Sequence, residues 1–165
     1  MARKWPRLLW QALALLGLVL AVGFWQVRDL ASGTAPPLSG VGLAGEALDL
    51  ATLRGHPVLV HFWATWCPVC TLEDDAIAAV ADDHPVLTVA MQSGSADAVA
   101  AHMRENGLAF PVINDPDGLL AARYGVRAVP TTFILDGTGG IRFREVGYTT
   151  GPGLRLRLWA AGLMR

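Results

Sequence analysis

Phe62-Trp63-Ala64-Thr65-Trp66-Cys67-Pro68-Val69-Cys70, continuing into Thr71-Leu72-Glu73, decides how this chain is read. The apolar run Val58 to Trp63 reads as a buried strand. It ends in a Trp-Cys pair that opens a helical pattern reaching about Asp82. Cys67 and Cys70 are the only cysteines, and two residues separate them, the spacing of a redox dithiol. Two sulfurs so placed at a helix start close a small disulfide ring. The first lies where unpaired backbone N–H groups and the positive end of the helix dipole stabilise a thiolate. Cys67 is therefore the expected nucleophile and Cys70 the resolving thiol. Indexed at ~100° per residue from Leu72, the helix places Ala76 and Val80 on one face with Ile77 beside them, and Asp74, Asp75 and Asp82 opposite. Cys67 falls on the acidic, solvent-facing side and Cys70 nearer the apolar side. Glu73 falls inside the apolar sector, partly buried under the dithiol.

Other readings of a Cys-X-X-Cys fit less well. A closed structural zinc site wants four ligands, and the chain has no second cysteine pair, while His56, His61, His84 and His102 lack ligand spacing. A purely structural disulfide of this size restrains little of the unfolded chain. No metal or organic cofactor is expected beyond the redox-active Cys67–Cys70 disulfide.

The 165 residues suffice for one domain with a real core plus an appendage. Hydrophobic content is 53%, and the excess sits at the N-terminus. The first thirty residues carry a net charge of +3 and the remainder −4, which gives no basic surface for a nucleic-acid partner. Lys4 is the only lysine.

Leu8 to Val27 is a run of about twenty residues with Gln11 and Gln26 as its only strongly polar members, long enough to cross the ~30 Å hydrocarbon layer as a helix. Basic residues Arg3, Lys4 and Arg7 precede it, and Trp5, Trp10 and Trp25 lie near its ends. The positive-inside tendency puts the N-terminus in the cytoplasm and everything after residue 28 outside. A cleaved signal peptide competes with this reading, but the run exceeds a usual signal core and Leu30-Ala31-Ser32-Gly33 is a poor cleavage site. Either way the domain lies outside the cytoplasm, where disulfides persist. Residues 1–28 are thus read as cytoplasmic N-terminus and anchor, the Pro- and Gly-rich residues 29–40 as a flexible linker, and residues 41–165 as the domain.

From Val41 the elements alternate. Ala47 to Leu53 is a short apolar stretch closed by the turn Arg54-Gly55-His56-Pro57. Val86 to Met91 reads as a second buried strand, and Ser95 opens a helix to about Asn106-Gly107. Phe110 to Ile113 is a short apolar run, followed by a turn into a helix over Leu119 to Tyr124. Thr131 to Leu135 and Ile141 to Val146 are strands around Asp136-Gly137-Thr138-Gly139-Gly140, a hairpin signal. Leu154-Arg155-Leu156-Arg157-Leu158 alternates as a strand does, yet Leu154, Leu158 and Ala161 also fit a helical face. The order predicts an α/β fold with a central mixed β-sheet flanked by helices.

Val58 to Cys70 together with Ala128-Val129-Pro130-Thr131-Thr132-Phe133 resembles the thioredoxin superfamily, specifically its membrane-tethered extracytoplasmic TlpA/ResA/DsbE-like thiol-disulfide oxidoreductases. The resemblance covers about residues 41 to 162 and implies a thioredoxin-like fold behind an N-terminal transmembrane helix, with a helix as the last segment. It makes Pro130 the family's cis-proline beside the dithiol, with the backbone of Val129 free to pair with an extended substrate segment. An ordinary trans proline opening a strand is the plainer reading. His61 stands where cytoplasmic thioredoxins bury an acid that takes the resolving cysteine's proton. An imidazole there either accepts that proton or is a neutral core histidine with one hydrogen bond. Glu73 matches an acidic position typical of the tethered family. Partial burial would raise its pKa and fit it for proton transfer, whereas a plain role favours the helix dipole alone.

The resemblance further implies thiolate exchange with protein thiol and disulfide substrates, Cys67 attacking or being attacked and Cys70 resolving, with Trp66 walling one side of the site. Strongly oxidising relatives carry a histidine between the cysteines, whereas Pro68-Val69 carries no charge. A reductase follows, fed across the membrane by a DsbD-like or CcdA-like partner and serving cytochrome c maturation or other exported proteins. The location it implies is the bacterial inner membrane, single-pass, with the catalytic domain in the periplasm or outside the cell. A protein disulfide oxidant of the same fold, a copper(I)-binding chaperone and a thiol peroxidase stand as alternatives. The peroxidase motif Pro-X-X-X-Thr-X-X-Cys is not supplied by the residues around Cys67.

Overall fold

A five-stranded sheet built on the Val58–Trp63 run carries the molecule in a computed structural model that describes residues 5–164. In chain order the elements are α1 (Trp5–Val27), β1 (Ser39–Val41), β2 (Ala47–Asp49), β3 (Val58–Trp63), α2 (Pro68–Thr71), α3 (Asp74–Ala81), β4 (Val86–Met91) and α4 (Ala96–Glu105). β5 (Val112–Asp115), α5 (Leu119–Arg123), β6 (Thr131–Leu135), β7 (Ile141–Val146) and α6 (Gly151–Gly162) complete it. The sheet order is β5-β4-β3-β6-β7. β3 pairs in parallel with β4, and β4 with β5, whereas β6 runs antiparallel to both β3 and β7. A small β1–β2 hairpin lies beside the β5 edge, bridged through Gly42 and Ile113. This is the central mixed sheet that the alternation of elements predicts, in the thioredoxin-like arrangement that the resemblance implies.

All six residues of β3 are buried, because both faces of the central strand are covered. Leu59 and Trp63 pack with Ile77, Val80, Val99, Leu154 and Leu158 on one side. Val60 and Phe62 pack with Leu38, Tyr124 and Phe133 on the other. The period of two thus sends alternate residues of β3 into two different cores. His61 joins the first face, the one that also carries the dithiol.

Two expectations change, and one ambiguity is resolved as the resemblance implies. The helix foreseen from Cys67 to about Asp82 is two helices, since the N–H groups of Leu72 and Glu73 bond back three residues, to Val69 and Cys70. A tightened turn advances the side chains by more than ~100° per residue, and the phase slips. Leu72, expected on the apolar face, is consequently 70% exposed, while Asp74 is drawn under cover. Cys67, expected toward solvent, is itself buried. The last segment is a helix, α6, buried at Leu154, Leu158 and Ala161 and capped by the Thr150 hydroxyl, so helical phase decides over alternation.

The second change concerns residues 29–40, expected as a flexible linker. Leu30 and Leu38 are core residues, and Ala31, Gly33 and Ala35 exchange backbone hydrogen bonds with Tyr124, Ile141 and Gly139. The hydroxyl of Tyr124 donates to the Pro36 carbonyl at 2.7 Å. Prolines and glycines here shape an extended strap whose backbone finds partners on the domain, rather than a solvated coil. Ahead of it, α1 holds a Leu9–Val27 stretch with a mean hydropathy of 1.7, none of it buried, and is long and apolar enough to cross a bilayer. Arg3 and Lys4, which bear on its orientation, lie outside the described residues.

The β6–β7 hairpin is closed by Asp136, whose buried carboxylate accepts from the N–H groups of Thr138 and Gly140 and from the Thr138 hydroxyl, and pairs with Arg142 at 2.5 Å. Burial pushes its pKa up, but these donors together outweigh burial and hold it at about 2. Asp136→Ala leaves the loop donors without their acceptor and Arg142 without its partner. It is expected to lower stability by about 2–3 kcal/mol, and a urea titration showing less than half of that would contradict this account of the turn.

Candidate active site

The dithiol lies where the central strand runs out. β3 ends at Trp63, and the chain turns through Ala64, Thr65 and Trp66 to reach Cys67, which caps α2. Pro68 occupies the first helical position, where its missing N–H costs nothing. The Cys67 sulfur accepts from the Cys70 backbone N–H at 3.1 Å, the donor geometry that holds negative charge at a helix start. Cys67 and Cys70 form a disulfide with their Cα atoms 5.3 Å apart. Both are buried, Cys70 at 1% exposure and Cys67 at 4%, so the order of access expected from the helix phase survives only as a small difference.

Around the sulfurs, the Val129–Pro130 peptide is cis and the Val129 carbonyl lies 3.6 Å from the Cys67 sulfur. Sixty-two residues of chain separate that pair, and the sheet brings them together because β6 begins beside the end of β3. Trp66 is 58% exposed, yet its orientation is fixed by an indole N–H donated at 3.0 Å to the carbonyl of Gln92, a residue with φ of 49°. Val69 and Leu72 are exposed next to it. The sequence from Thr65 to Leu72 holds no charged side chain.

Glu73 is fully buried. Oε1 accepts from the Thr149 backbone N–H at 2.5 Å, and Oε2 has no hydrogen-bond partner. Burial raises its pKa to about 7, with the Thr149 N–H pulling it down and Asp74 adding to the rise. A carboxyl with one free, buried oxygen close to the resolving cysteine's helix turn holds or releases a proton near neutrality. His61 behaves differently. Its Nδ1 lies 2.9 Å from the Thr132 hydroxyl, and burial lowers its pKa to about 3, so the ring is neutral across the physiological range. Its one hydrogen-bond partner is a threonine hydroxyl, not a sulfur.

The structure therefore gathers Cys67, Cys70, Trp66, Val129 and Pro130 at one end of the sheet, buries Glu73 one helical turn after Cys70, and places His61 within the same face of the core. Thr149, Thr132 and Gln92 are the partners that sequence reasoning missed. Their contacts to Glu73, His61 and Trp66 span 76, 71 and 26 residues, and no local pattern marks a residue whose contribution is a backbone group or a hydroxyl so far along the chain.

A thioredoxin-like sheet that presents a Cys-X-X-Cys disulfide from a helix start beside a cis-proline defines a thiol-disulfide oxidoreductase. Residues 32–144 match the AhpC/TSA family, and the chain belongs to it. It is similar to a thioredoxin-like protein of Haemophilus influenzae, 33% identical over 129 residues that span 78% of this chain and 74% of that one. It is also similar to the thiol:disulfide interchange protein DsbE of Tatumella citrea, 30% identical across 86% of this chain and 85% of its relative. Among solved structures it resembles a secreted Mycobacterium tuberculosis disulfide oxidoreductase homologous to Escherichia coli DsbE, with a TM-score of 0.65 and 26% identity over 74% of this chain and 95% of that one.

Proposed function

We propose that this oxidoreductase works outside the cytoplasm as a membrane-anchored reductase of protein disulfides. The observation that carries the reading is the pairing of a Cys-X-X-Cys whose intervening Pro68-Val69 is uncharged with an exposed apolar helix of bilayer-spanning length. With no cation between the sulfurs, the reduced Cys67 thiolate has only the helix start to stabilise it, and such a dithiol gives up its electrons readily. α1 is the anchor, in a single-pass arrangement in the bacterial inner membrane. A membrane partner of DsbD or CcdA type supplies the electrons, and the clients are cytochrome c maturation components or other exported proteins.

In this mechanism Cys67 attacks a client disulfide, and the mixed disulfide is resolved by Cys70. Glu73 accepts the Cys70 proton, since its carboxyl titrates near neutrality, while His61 is too weak a base at about 3 to do so and serves the core. Val129 and Pro130 present backbone to the client segment, and Trp66 flanks it. A peroxidase reading loses support at Ala64, which stands three residues before Cys67 where that motif requires threonine.

The deciding test equilibrates the Cys67/Cys70 pair against glutathione or dithiothreitol buffers. A potential near thioredoxin's, about −270 mV, is expected. One near −120 mV makes the protein an oxidant instead.

A further inference from the structure

The strap between α1 and the sheet starts at a particular place on the domain. Arg144 of β7 donates through Nη1 to the carbonyls of both Val27 and Leu30, each at 3.3 Å. The Asp29 carboxylate pairs with Arg127 at 3.1 Å. The Asp29 carbonyl packs onto Gly125, which has φ of +70°, so closely that a side chain at Gly125 would collide with it. Trp25 and Gln26 line one cavity together with Arg127, Ala128, Thr131 and Val146. These residues belong to the loop that carries Val129 and Pro130, to the first residue of β6 and to the last of β7. That is the end of the sheet where Cys67 sits. Leu9 to Leu18 and Ala21 to Gly23 are exposed, so α1 meets the domain only through its final turns and then departs.

We infer that the docked strap fixes the Cys67–Cys70 pair at the membrane-facing pole of the domain, positioned to exchange with a cysteine pair held at the bilayer surface by a membrane-embedded protein. This rests on the proposed anchor. Because the strap is packed rather than slack, the domain does not swing freely about the membrane, and the opposite pole, at His56 and the β6–β7 turn, points away. The two poles are separated by β3, whose six residues span roughly 17–20 Å at ~3.3 Å per residue. The uncharged surface of Trp66, Val69 and Leu72 around the dithiol suits a partner segment lying in the interfacial layer. In the exchange a partner thiolate attacks the Cys67 sulfur and the Cys67–Cys70 bond breaks. The partner's second thiolate then attacks the partner sulfur of the mixed disulfide and expels Cys67. Two electrons and two protons pass to this chain, and the partner keeps one new disulfide.

The test uses the full chain with both native cysteines replaced by serine, reconstituted in phosphatidylcholine–phosphatidylglycerol vesicles that carry a headgroup nitroxide. A fluorophore is attached through Leu72→Cys in one sample and through His56→Cys in another. The Leu72→Cys label is expected to be quenched several-fold more than the His56→Cys label, and a flexible Gly-Ser insert after Arg28 is expected to shrink that difference. Equal quenching, or stronger quenching at His56→Cys, in protein that floats with the vesicles overturns the inference and leaves the anchor standing. Protein that does not float removes the anchor and this inference with it.

Discussion

Cys67→Ser is expected to bring disulfide exchange down to the uncatalysed rate, while Cys70→Ser stops it one step later. The asymmetry follows from position. The Cys67 sulfur caps α2 and faces the Val129 carbonyl, whereas Cys70 lies behind it in the helix and is the more deeply buried. A hydroxyl at residue 67 is a far weaker nucleophile than a thiolate and forms no bond to a client sulfur. A hydroxyl at residue 70 leaves Cys67 free to attack but cannot release the product. Cys70→Ser should therefore accumulate mixed disulfides that run as reducible high-mass bands on non-reducing gels, and Cys67→Ser should not. Equal trapping by both variants, or trapping by Cys67→Ser alone, would reverse the assignment of nucleophile and resolving thiol.

The second large effect is in the pH dependence of stability, and it is visible only when two buried groups are separated. For His61 the folded pKa of about 3 lies below the ordinary 6.5. As pH falls below 6.5 the unfolded chain gains a proton that the folded chain refuses, so stability is lost down to about 3, by roughly 5 kcal/mol in all. For Glu73 the folded pKa of about 7 lies above the ordinary 4.5. Its contribution is full below 4.5 and is lost as pH rises to about 7, by roughly 3 kcal/mol. Between pH 4.5 and 6.5 the two slopes oppose each other, one proton against one. Relative to the parent chain, His61→Leu is expected to tilt the stability curve downward with rising pH across that window. Glu73→Gln should tilt it upward, each by about 1.4 kcal/mol per pH unit. Urea denaturation of the oxidised proteins at three pH values reads both slopes. Tilts of the same sign would show that one of the two groups is not held as described.

Much of this site is legible in the sequence alone. Cys67 and Cys70 are marked by spacing, the strand before them by six consecutive apolar residues, and Pro130 by the resemblance that the Val129-Pro130-Thr131 segment supports. What escaped is long in range or fine in phase. Leu72 and Asp74 depart from the expected phase because a single tightened turn shifts every later side chain, and no residue from Val69 to Glu73 is a glycine or proline to announce it. Glu73 falls in the apolar sector and is buried, but its one donor, the Thr149 N–H, comes from the loop between β7 and α6, 76 residues along the chain. The strap is hidden for a related reason. Proline and glycine report that a segment is neither helix nor strand, and they are silent on whether a neighbouring surface supplies its hydrogen bonds.

That strap also moves the lower limit of the folding unit. Composition would start the domain at Val41, yet Leu30 and Leu38 fill one of the two cores, and each buried leucine contributes about 1.5–3 kcal/mol. A shortened form trimmed at the compositional boundary would lose both leucines, strip the Tyr124 hydroxyl of its acceptor and open one face of the sheet to water. The excisable folding unit therefore begins at the last turn of the apolar helix, and the segment between that helix and the sheet is part of the enzyme.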